Sequence, residues 1–429
     1  MTLKVIVLLG VLVVAILAKL PVFLSLALSV CSYALCFPDS MYLEVLGQGL
    51  VTGLNNYSYA GVLFFFLSGE IMSKGGISNR IIRFFRACIG HIRGGLSHVN
   101  VLDSLVFAGV SGSALADTAA TGAVIIPAMK EEGYPAEYAV GITIVTSCIG
   151  PIIPPSTGLI LLAVYTGASV TECLMGGLVP GLFMGAFLLA ASLIISKRRN
   201  FPKGKWLGWS HLWHEFYSNI FALLLPVFII FTLGAGIGTV NEVGAITVVY
   251  AIIVSCFIYR DLDFKGLLDA VISGALTCGR MLCILGMAGI FTWIVGSLGL
   301  RSALSTLLAP FEESPTLLLF ICMLVMFILG MFLDHTIIMY VIAPIIAPAI
   351  AAAGIDMVQY CVLTMIVCTM GLITPPVGML IYIGSSIGNV DPVKVVKEIL
   401  PFIGALVLCV IVLVLFPSLT TAFPQFLYG

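Results

Sequence analysis

Long apolar runs separated by short polar segments occupy most of the chain. The runs lie at residues 2–18, 21–37, 57–72, 171–196, 220–237, 243–259, 281–298 and 402–416. Runs of this length and composition are typical of membrane-spanning helices. The two N-terminal runs are interpreted as retained spans, because only Lys4 precedes the first and no small-residue cleavage site leads into a soluble domain.

Residues 110–157 break this pattern. The stretch contains Asp117 and a charged patch at 130–132, and it closes on the segment Gly-Pro-Ile-Ile-Pro-Pro at 150–155. Carboxylates and helix-breaking prolines are costly in lipid and persist mainly where they line a site. The length of the stretch predicts a re-entrant hairpin of two half-helices at about 102–130, followed by a broken span at about 136–166.

Lysines and arginines gather in two clusters, at 74–93 and 197–205. Short cytoplasmic loops carry such an excess, so both clusters are expected in the cytoplasm. Arginines at helical spacing predict an interfacial amphipathic helix at 79–92, with an ordinary basic loop as the alternative. The tryptophans at 206, 209 and 213 indicate an interfacial linker at 201–216, and residues 43–56 are expected to be external.

The second half of the chain repeats the signals of the first. Asp117 and Pro127 are ten residues apart, as are Asp334 and Pro344. We therefore expect two repeats, 1–200 and 217–429, with a second hairpin at about 314–352 and a second broken span at about 357–388. Five crossings per repeat invert the second copy, as in secondary transporters, and place the C-terminus outside. The predicted fold class is an all-α polytopic membrane protein.

Composition agrees with a membrane protein. The chain is 61% hydrophobic and 9% charged, with a mean hydropathy of +1.19. A net charge of −1 and the absence of a basic run argue against nucleic-acid binding. The twelve cysteines occur singly, without a Cys-x-x-Cys pair, so they are interpreted as small buried residues rather than metal ligands.

Hairpin turns and unwound segments offer backbone carbonyls that no helix uses, and sodium prefers oxygen ligands. Two sodium sites are therefore expected, one in each half, with an organic anion between them at the positive ends of half-helices. The candidates are Ser111, Ser113, Gly150, Ser156 and Thr157 in the first half, and Gly330, Asp334, Gly371, Thr374 and Gly378 in the second. Of these, Ser156, Thr157 and Gly378, together with Asp117, are also candidates for the substrate cavity.

Several polar residues keep two interpretations. Asp117 either caps a half-helix or contacts an ion, and Asp334 has an ion-binding or a pairing role. His335 is a proton relay or a hydrogen-bonded structural residue. Glu70 is expected to reach the interface, and Arg280 to begin a helix on the basic side.

The chain resembles the large membrane subunit of tripartite ATP-independent periplasmic (TRAP) transporters. The likeness spans nearly the whole sequence and is carried by residues 20–22, 68–72, 109–117, 126–134, 150–156, 330–334 and 371–378. The family's ion-site pattern falls on Ser111, Ser113 and Asp334, and on the backbone of Gly150, Pro154, Gly371 and Thr374. Residues 335–337 depart from the commoner small or proline-containing continuation of that pattern.

The resemblance implies a sodium-coupled elevator-type importer of an organic anion in the bacterial inner membrane, with no cofactor besides sodium. It also implies a small four-helix membrane subunit and a periplasmic substrate-binding protein as partners. Sialic acid is slightly favoured as substrate over C4-dicarboxylates and other sugar acids. Two alternatives remain, a stand-alone carboxylate transporter and, more remotely, an intramembrane aspartyl protease that uses Asp117 and Asp334.

Overall fold

The computed structural model describes residues 2–18, 20–38 and 43–429, apart from the side chains at positions 2, 17, 43, 45, 110, 111 and 301. Within these ranges the fold is helical, with one isolated β-bridge between Arg93 and Lys203. The helices of the first half are α1 (Thr2–Leu17), α2 (Val22–Cys36), α3 (Leu43–Leu54), α4 (Ser58–Lys74), α5 (Ile77–Ile89), α6 (Gly95–Ser111), α7 (Ala114–Glu131), α8 (Ala136–Thr146), α9 (Thr157–Thr166) and α10 (Val170–Arg198).

The second half begins with α11 (Trp209–Ser218) and has a similar order of elements. Its further helices are α12 (Ile220–Gly234), α13 (Val240–Ile252), α14 (Phe264–Ser297), α15 (Leu300–Leu308), α16 (Pro315–Gly330), α17 (His335–Ile337), α18 (Ala343–Ala352), α19 (Met357–Gly371), α20 (Met379–Gly388), α21 (Pro392–Leu415) and α22 (Ser418–Tyr428). A π-helical segment extends α13 to Ile258, and another joins α17 to α18.

Five continuous helical segments of the described chain are long and apolar enough to cross a membrane: α10, α13 with its extension, α14, α17–α18 and α21. The number rises to seven if each of two bent pairs, α3 with α4 and α11 with α12, counts as one span, and each pair bends by 61°. These helices confirm the predicted all-α membrane class.

The first hairpin folds back on itself at Gly112. Asp103 lies nine residues before Gly112, and Thr121 lies nine residues after it. The Thr121 hydroxyl is 2.8 Å from Asp103 Oδ2. The two open ends meet the same face of the protein, because Gly94 N donates to Pro202 O at 2.9 Å and Lys130 Nζ to Gly388 O at 3.2 Å. Both basic clusters lie on this face, which we call the basic face.

The second hairpin opens on the other face. Its last helix, α18, leads into α19, whose N-cap Asp356 and first turns, at Cys361, lie next to the start of α10 at Cys173. The opposite end of α10 lies on the basic face, where Ser196 packs against Gly94. A helix of 29 residues is about 44 Å long, so the two hairpins open at opposite ends of α10.

Helices α8 and α19 form the centre of this part of the fold. Every residue of α8 from Tyr138 to Thr146, and every residue of α19 from Val358 to Gly371, is buried. The hairpins, α10 and α21 surround them, and so the breaks that follow α8 and α19 lie inside the protein. The irregular backbone at these two breaks is therefore positioned to contact the turns of the hairpins.

Some boundaries differ from the predictions. The first hairpin begins at Gly95 and not near residue 102, and α14 begins at Phe264 and not near 281. The region at 43–56, expected to be external, contains α3, which packs closely on α14: a Cβ added to Gly53 would lie 3.1 Å from Gly289 Cα. Small residues permit such close helix contacts in membranes.

Candidate functional site

The turn of the first hairpin packs against the first break. Gly112 has φ = 57°, and a Cβ added to it would lie 2.6 Å from Pro155 O. Thr157 Oγ1 donates to Gly112 O at 3.3 Å. Only glycine combines this left-handed backbone with so close an approach, so the sequence fixes the contact between the turn and the break.

The second hairpin makes the corresponding contact through two glycines. Gly330 ends α16, and Gly371 ends α19; a Cβ added to Gly371 would lie 2.6 Å from both C and O of Gly330. Val377 N donates to Met331 O at 3.3 Å across the same junction. Each half of the protein therefore holds its turn against its own break by backbone contact.

Four helices begin at these two junctions. Ser113 caps α7 by accepting from Ala116 N at 3.5 Å, and Ser156 caps α9 by accepting from Leu159 N at 3.0 Å. Asp334 caps α17 by accepting from Thr336 N at 2.8 Å, and Gly378, with φ = 50°, precedes α20. Helix N-termini carry partial positive charge, so both junctions favour an anion nearby.

The junctions also contain carbonyl oxygens free of hydrogen bonds. Those of Pro154, Gly330 and Thr374 accept none from the described residues. Free carbonyls and neutral hydroxyls are the ligands that a sodium ion requires. Among the described residues, no group of three or more His, Cys, Asp or Glu side chains is placed to hold a metal ion.

A cavity of about 260 Å³ separates the two hairpins. It is bordered by Ser113, Ala114 and Leu115 at the start of α7, by Thr157 and Gly158 at the start of α9, and by His335 and Thr336 at the start of α17. Three helix N-termini thus line one space. The opposite wall comes from α4 and α14 and includes Phe66, Thr277, Arg280, Met281 and Ile284.

Arg280 is the functional candidate that the sequence interpretation missed. It was expected at the start of a helix, but α14 begins at Phe264, so Arg280 lies near the middle of a 34-residue helix and lines the cavity. It forms no ion pair or hydrogen bond with a described residue. An unpaired guanidinium that lines a cavity is suited to bind a carboxylate in two-pronged fashion.

The other predicted residues are distributed around the cavity. Thr157 lines it, whereas Asp117, Ser156 and Gly378 do not. Asp117 is fully buried between α6 and α7 and does not cap a helix, since Ser113 holds that position. His335 Nδ1 lies 3.5 Å from Asp334 Oδ1. The side chain of Ser111 lies outside the described residues.

Three tyrosines lie together on the side of the cavity away from the basic face, and one of them, Tyr340, lines it. The rings of Tyr165 in α9 and Tyr340 in the second hairpin have centroids 5.1 Å apart, and Tyr165 Oη donates to Leu285 O of α14 at 3.2 Å. Tyr59 of α4 lies beside Tyr165. Through these three tyrosines, α4 and α14 contact α9 and the second hairpin.

The opposite side leads toward the basic face. A second cavity of about 520 Å³ shares Phe66, Ser113, Leu115 and Thr277 with the first and extends to Glu70 and Ser73. Ser73 precedes Lys74, whose Nζ donates to Asp269 O at 2.8 Å on the basic face. The second cavity therefore lies between the first cavity and the face that carries both arginine and lysine clusters.

Both the sequence and the fold are similar to those of known proteins. Residues 9–419 match the family model described as tripartite ATP-independent periplasmic transporter, DctM component. The chain is 36% identical over 394 residues to the 2,3-diketo-L-gulonate TRAP transporter large permease protein YiaN of Escherichia coli, covering 92% of this chain and 93% of that protein. It is 29% identical to the sialic acid TRAP transporter large permease protein SiaM of Vibrio cholerae, with 96% of each covered.

A solved structure shares the fold. The YdaH transporter of Alcanivorax borkumensis superposes with a TM-score of 0.66 over 88% of this chain and 89% of its own, at 14% sequence identity. The relatives are transporter permease subunits and not enzymes. In the structure, Asp117 lies against Asp103, and no contact of the described residues joins it to Asp334, so the pair that the aspartyl protease alternative requires is not formed.

Proposed function

Because the chain belongs to the DctM family of tripartite ATP-independent periplasmic transporters, we propose that it is the large membrane subunit of a sodium-coupled importer of an organic anion. The observation that supports this most strongly is the cavity between the two hairpins. It joins an unpaired arginine, three helix N-termini and two glycine-held junctions with free carbonyls.

The anion binds between Arg280 and the helix N-termini at Ser113, Thr157 and His335. A carboxylate there receives two parallel hydrogen bonds from the guanidinium and the favourable field of the half-helices. Arg280 is about 24 Å along α14 from its start at Phe264, which is close to the middle of a bilayer. An anion bound near the middle of the bilayer can reach either side of the membrane after a modest movement of the protein around it.

Sodium ions bind at the two junctions behind the anion. The first site takes the hydroxyls of Ser111 and Ser113 with backbone oxygens of Gly150 and Pro154. The second takes Asp334 and Thr374 with backbone oxygens of Gly330 and Gly371. Because each site spans a turn and a break, a bound ion holds the hairpin in the form that completes the cavity, and this coupling links sodium binding to anion binding.

Transport proceeds by movement of the hairpins and broken spans against α4 and α14, in the elevator manner. The tyrosines at 59, 165 and 340 seal the outer side in the present state, and the second cavity gives release on the basic face. We place that face in the cytoplasm, the membrane as the bacterial inner membrane and the C-terminus in the periplasm.

The transporter acts with a small four-helix membrane subunit and a periplasmic binding protein that delivers the substrate. Among carboxylates, a sugar acid is the preferred class, because the relative at 36% identity is named for 2,3-diketo-L-gulonate, whereas relatives at 28–29% identity are named for sialic acid and for C4-dicarboxylates alike. The slight preference for sialic acid stays a prediction. The binding protein selects the substrate before the cavity meets it.

Uptake by proteoliposomes tests the proposal. Vesicles contain this chain alone, this chain with the small subunit, or both with the binding protein, and receive labelled sialic acid, 2,3-diketo-L-gulonate or succinate. We expect uptake of a sugar acid only from the complete system and only with an inward sodium gradient. Uptake by this chain alone would contradict the tripartite assignment, and undiminished uptake with choline in place of sodium would contradict the coupling.

A further inference from the structure

Two carboxylates lie buried together inside the first hairpin, away from the cavity. Asp103 in α6 and Asp117 in α7 both have no exposed surface. Thr121 Oγ1 lies 2.8 Å from Asp103 Oδ2 and 2.9 Å from Asp117 Oδ1. A hydroxyl has one hydrogen to donate, so while both carboxyl groups are ionised Thr121 donates to only one of them.

Three oxygens around this pair have no hydrogen-bond partner. Asp103 Oδ1, Asp117 Oδ2 and the hydroxyl of Ser104 are all buried and unpartnered among the described residues. Ser104 and Ser147 lie next to the Asp117 carboxylate, and Ser147 donates its hydrogen to Thr143 O at 2.8 Å. Buried polar atoms in native proteins are nearly always satisfied, so these oxygens are available to coordinate a ligand.

The protein itself supplies no positive charge here. Neither carboxylate forms an ion pair with a described Lys, Arg or His. The neighbours that face the pair from α6, from α7 and from the end of α8 are neutral: Ser104, Thr121, Ser147 and Cys148. Two like charges in a dry interior require an added cation or a proton.

We propose that Asp103 and Asp117, with the hydroxyls of Ser104 and Thr121, bind a sodium ion that is distinct from the two ions at the junctions. With one carboxyl group protonated, Thr121 would accept from it and donate to the other, but Asp103 Oδ1 and Asp117 Oδ2 would still have no partner. A sodium ion between them contacts both carboxylates and the hydroxyl oxygens, which are the hard ligands it prefers. The site ties α6 to α7 below the turn.

The additional site rests on the proposed function in one respect, because both require sodium to be the coupling ion. Its test is the number of sodium ions bound at saturation to the purified complex of this chain with the small membrane subunit, measured with ²²Na⁺. Asp103→Asn and Asp117→Asn keep the size of the side chain and remove its charge. We expect each to lower the count by one ion per chain, and Ser104→Ala to weaken binding of that ion without lowering the count.

Asp391→Asn is the matched control, because Asp391 is an exposed cap of α21 and asparagine caps equally well. It should bind the wild-type number of ions. If Asp103→Asn and Asp117→Asn also bind the wild-type number, the site is absent and the pair holds protons. If the wild-type complex binds no sodium, the proposed sodium coupling fails as well, so the two failures are distinguishable.

A measurement that needs neither Asn variant covers the case in which they do not fold. In a Ser113→Ala, Thr374→Ala background, which weakens the junction sites, amide hydrogen exchange is followed in α6 before the turn, at residues 96–106. Sodium, compared with choline at equal ionic strength, should slow exchange there at least several-fold. Equal exchange in the two salts would overturn the proposal.

Discussion

Replacement of Gly371 by alanine probes the contact on which the second junction depends. The added Cβ would lie 2.6 Å from C and O of Gly330 and 2.8 Å from its Cα. These are backbone atoms at the end of α16, so no side chain can rotate away and the hairpin itself must move. Overpacking of this kind costs about 1–3 kcal/mol, which lowers the population of the docked hairpin by about 5- to 140-fold.

The assay is sodium-driven anion uptake by proteoliposomes containing the complete system, with the midpoint of thermal unfolding in detergent as a check on folding. We expect Gly371→Ala to reduce the initial rate by about 5-fold or more and to raise the sodium concentration needed for half-maximal uptake. The reason is that an undocked hairpin carries the free carbonyls of Gly330 and Thr374 away from each other.

Two controls make this prediction specific. A Cβ at Gly404 in α21 meets nothing within 4 Å, so Gly404→Ala should leave uptake unchanged. A Cβ at Gly150 would lie 3.2 Å from Ser147 O and 3.5 Å from Ser113 O, so Gly150→Ala should keep most of the activity although it occupies the corresponding break. Wild-type uptake and sodium dependence in Gly371→Ala would refute the account of the second junction.

Three further predictions use the same uptake assay. Arg280→Gln should abolish anion uptake and leave ²²Na⁺ binding intact, with partial recovery in Arg280→Lys; full activity in Arg280→Gln would remove the arginine from the site. Asp334→Ala should abolish sodium-driven uptake while the chain stays inserted and assembled, and unchanged sodium dependence would exclude Asp334 as a ligand. Tyr165→Phe loses one hydrogen bond to Leu285 O, about 1 kcal/mol, so uptake should change less than about 10-fold, and complete loss would show that the seal depends on the hydroxyl and not on the ring.

Signals within one segment allowed the breaks and hairpins to be predicted. The first break lies between Thr146 and Thr157, where glycine and three prolines interrupt an apolar run. Proline cannot donate the hydrogen bond that continues a helix, and the cluster of one glycine and three prolines indicated the break, whereas the single prolines at 127, 180 and 401 lie within α7, α10 and α21. The second hairpin runs from Pro315 to Ala352 for comparable reasons. That the two halves are inverted copies with the predicted boundaries stays a prediction.

Contacts between distant segments explain why the sequence alone did not show that α6 begins at Gly95. The start of α6 contains His98, Asn100 and Asp103 and reads as too polar for a membrane helix. In the structure Asn100 Nδ2 donates to Thr143 Oγ1 at 2.7 Å, and His98 Nδ1 lies 2.9 Å from Ser192 Oγ. Partners from α8 and α10 thus satisfy groups that lipid could not, and no local pattern identifies those partners.

Arg280 was missed for a related reason. Hydropathy falls near Asp269 and Arg280, and this dip suggests that a span begins only after them. The structure continues α14 through both residues, because Asp269 lies at the basic face and Arg280 points to a cavity built by distant segments. A cavity wall made from both halves of the chain has no signature in any one stretch of sequence.

The location of the anion is the central claim, and a structure of the complete transporter with a bound sugar acid in saturating sodium tests it most directly. We predict the carboxylate within hydrogen-bond distance of the Arg280 guanidinium, facing the first turns of α7, α9 and α17. A sugar acid bound at another place, with the space between the two hairpins filled only by water, would contradict the account.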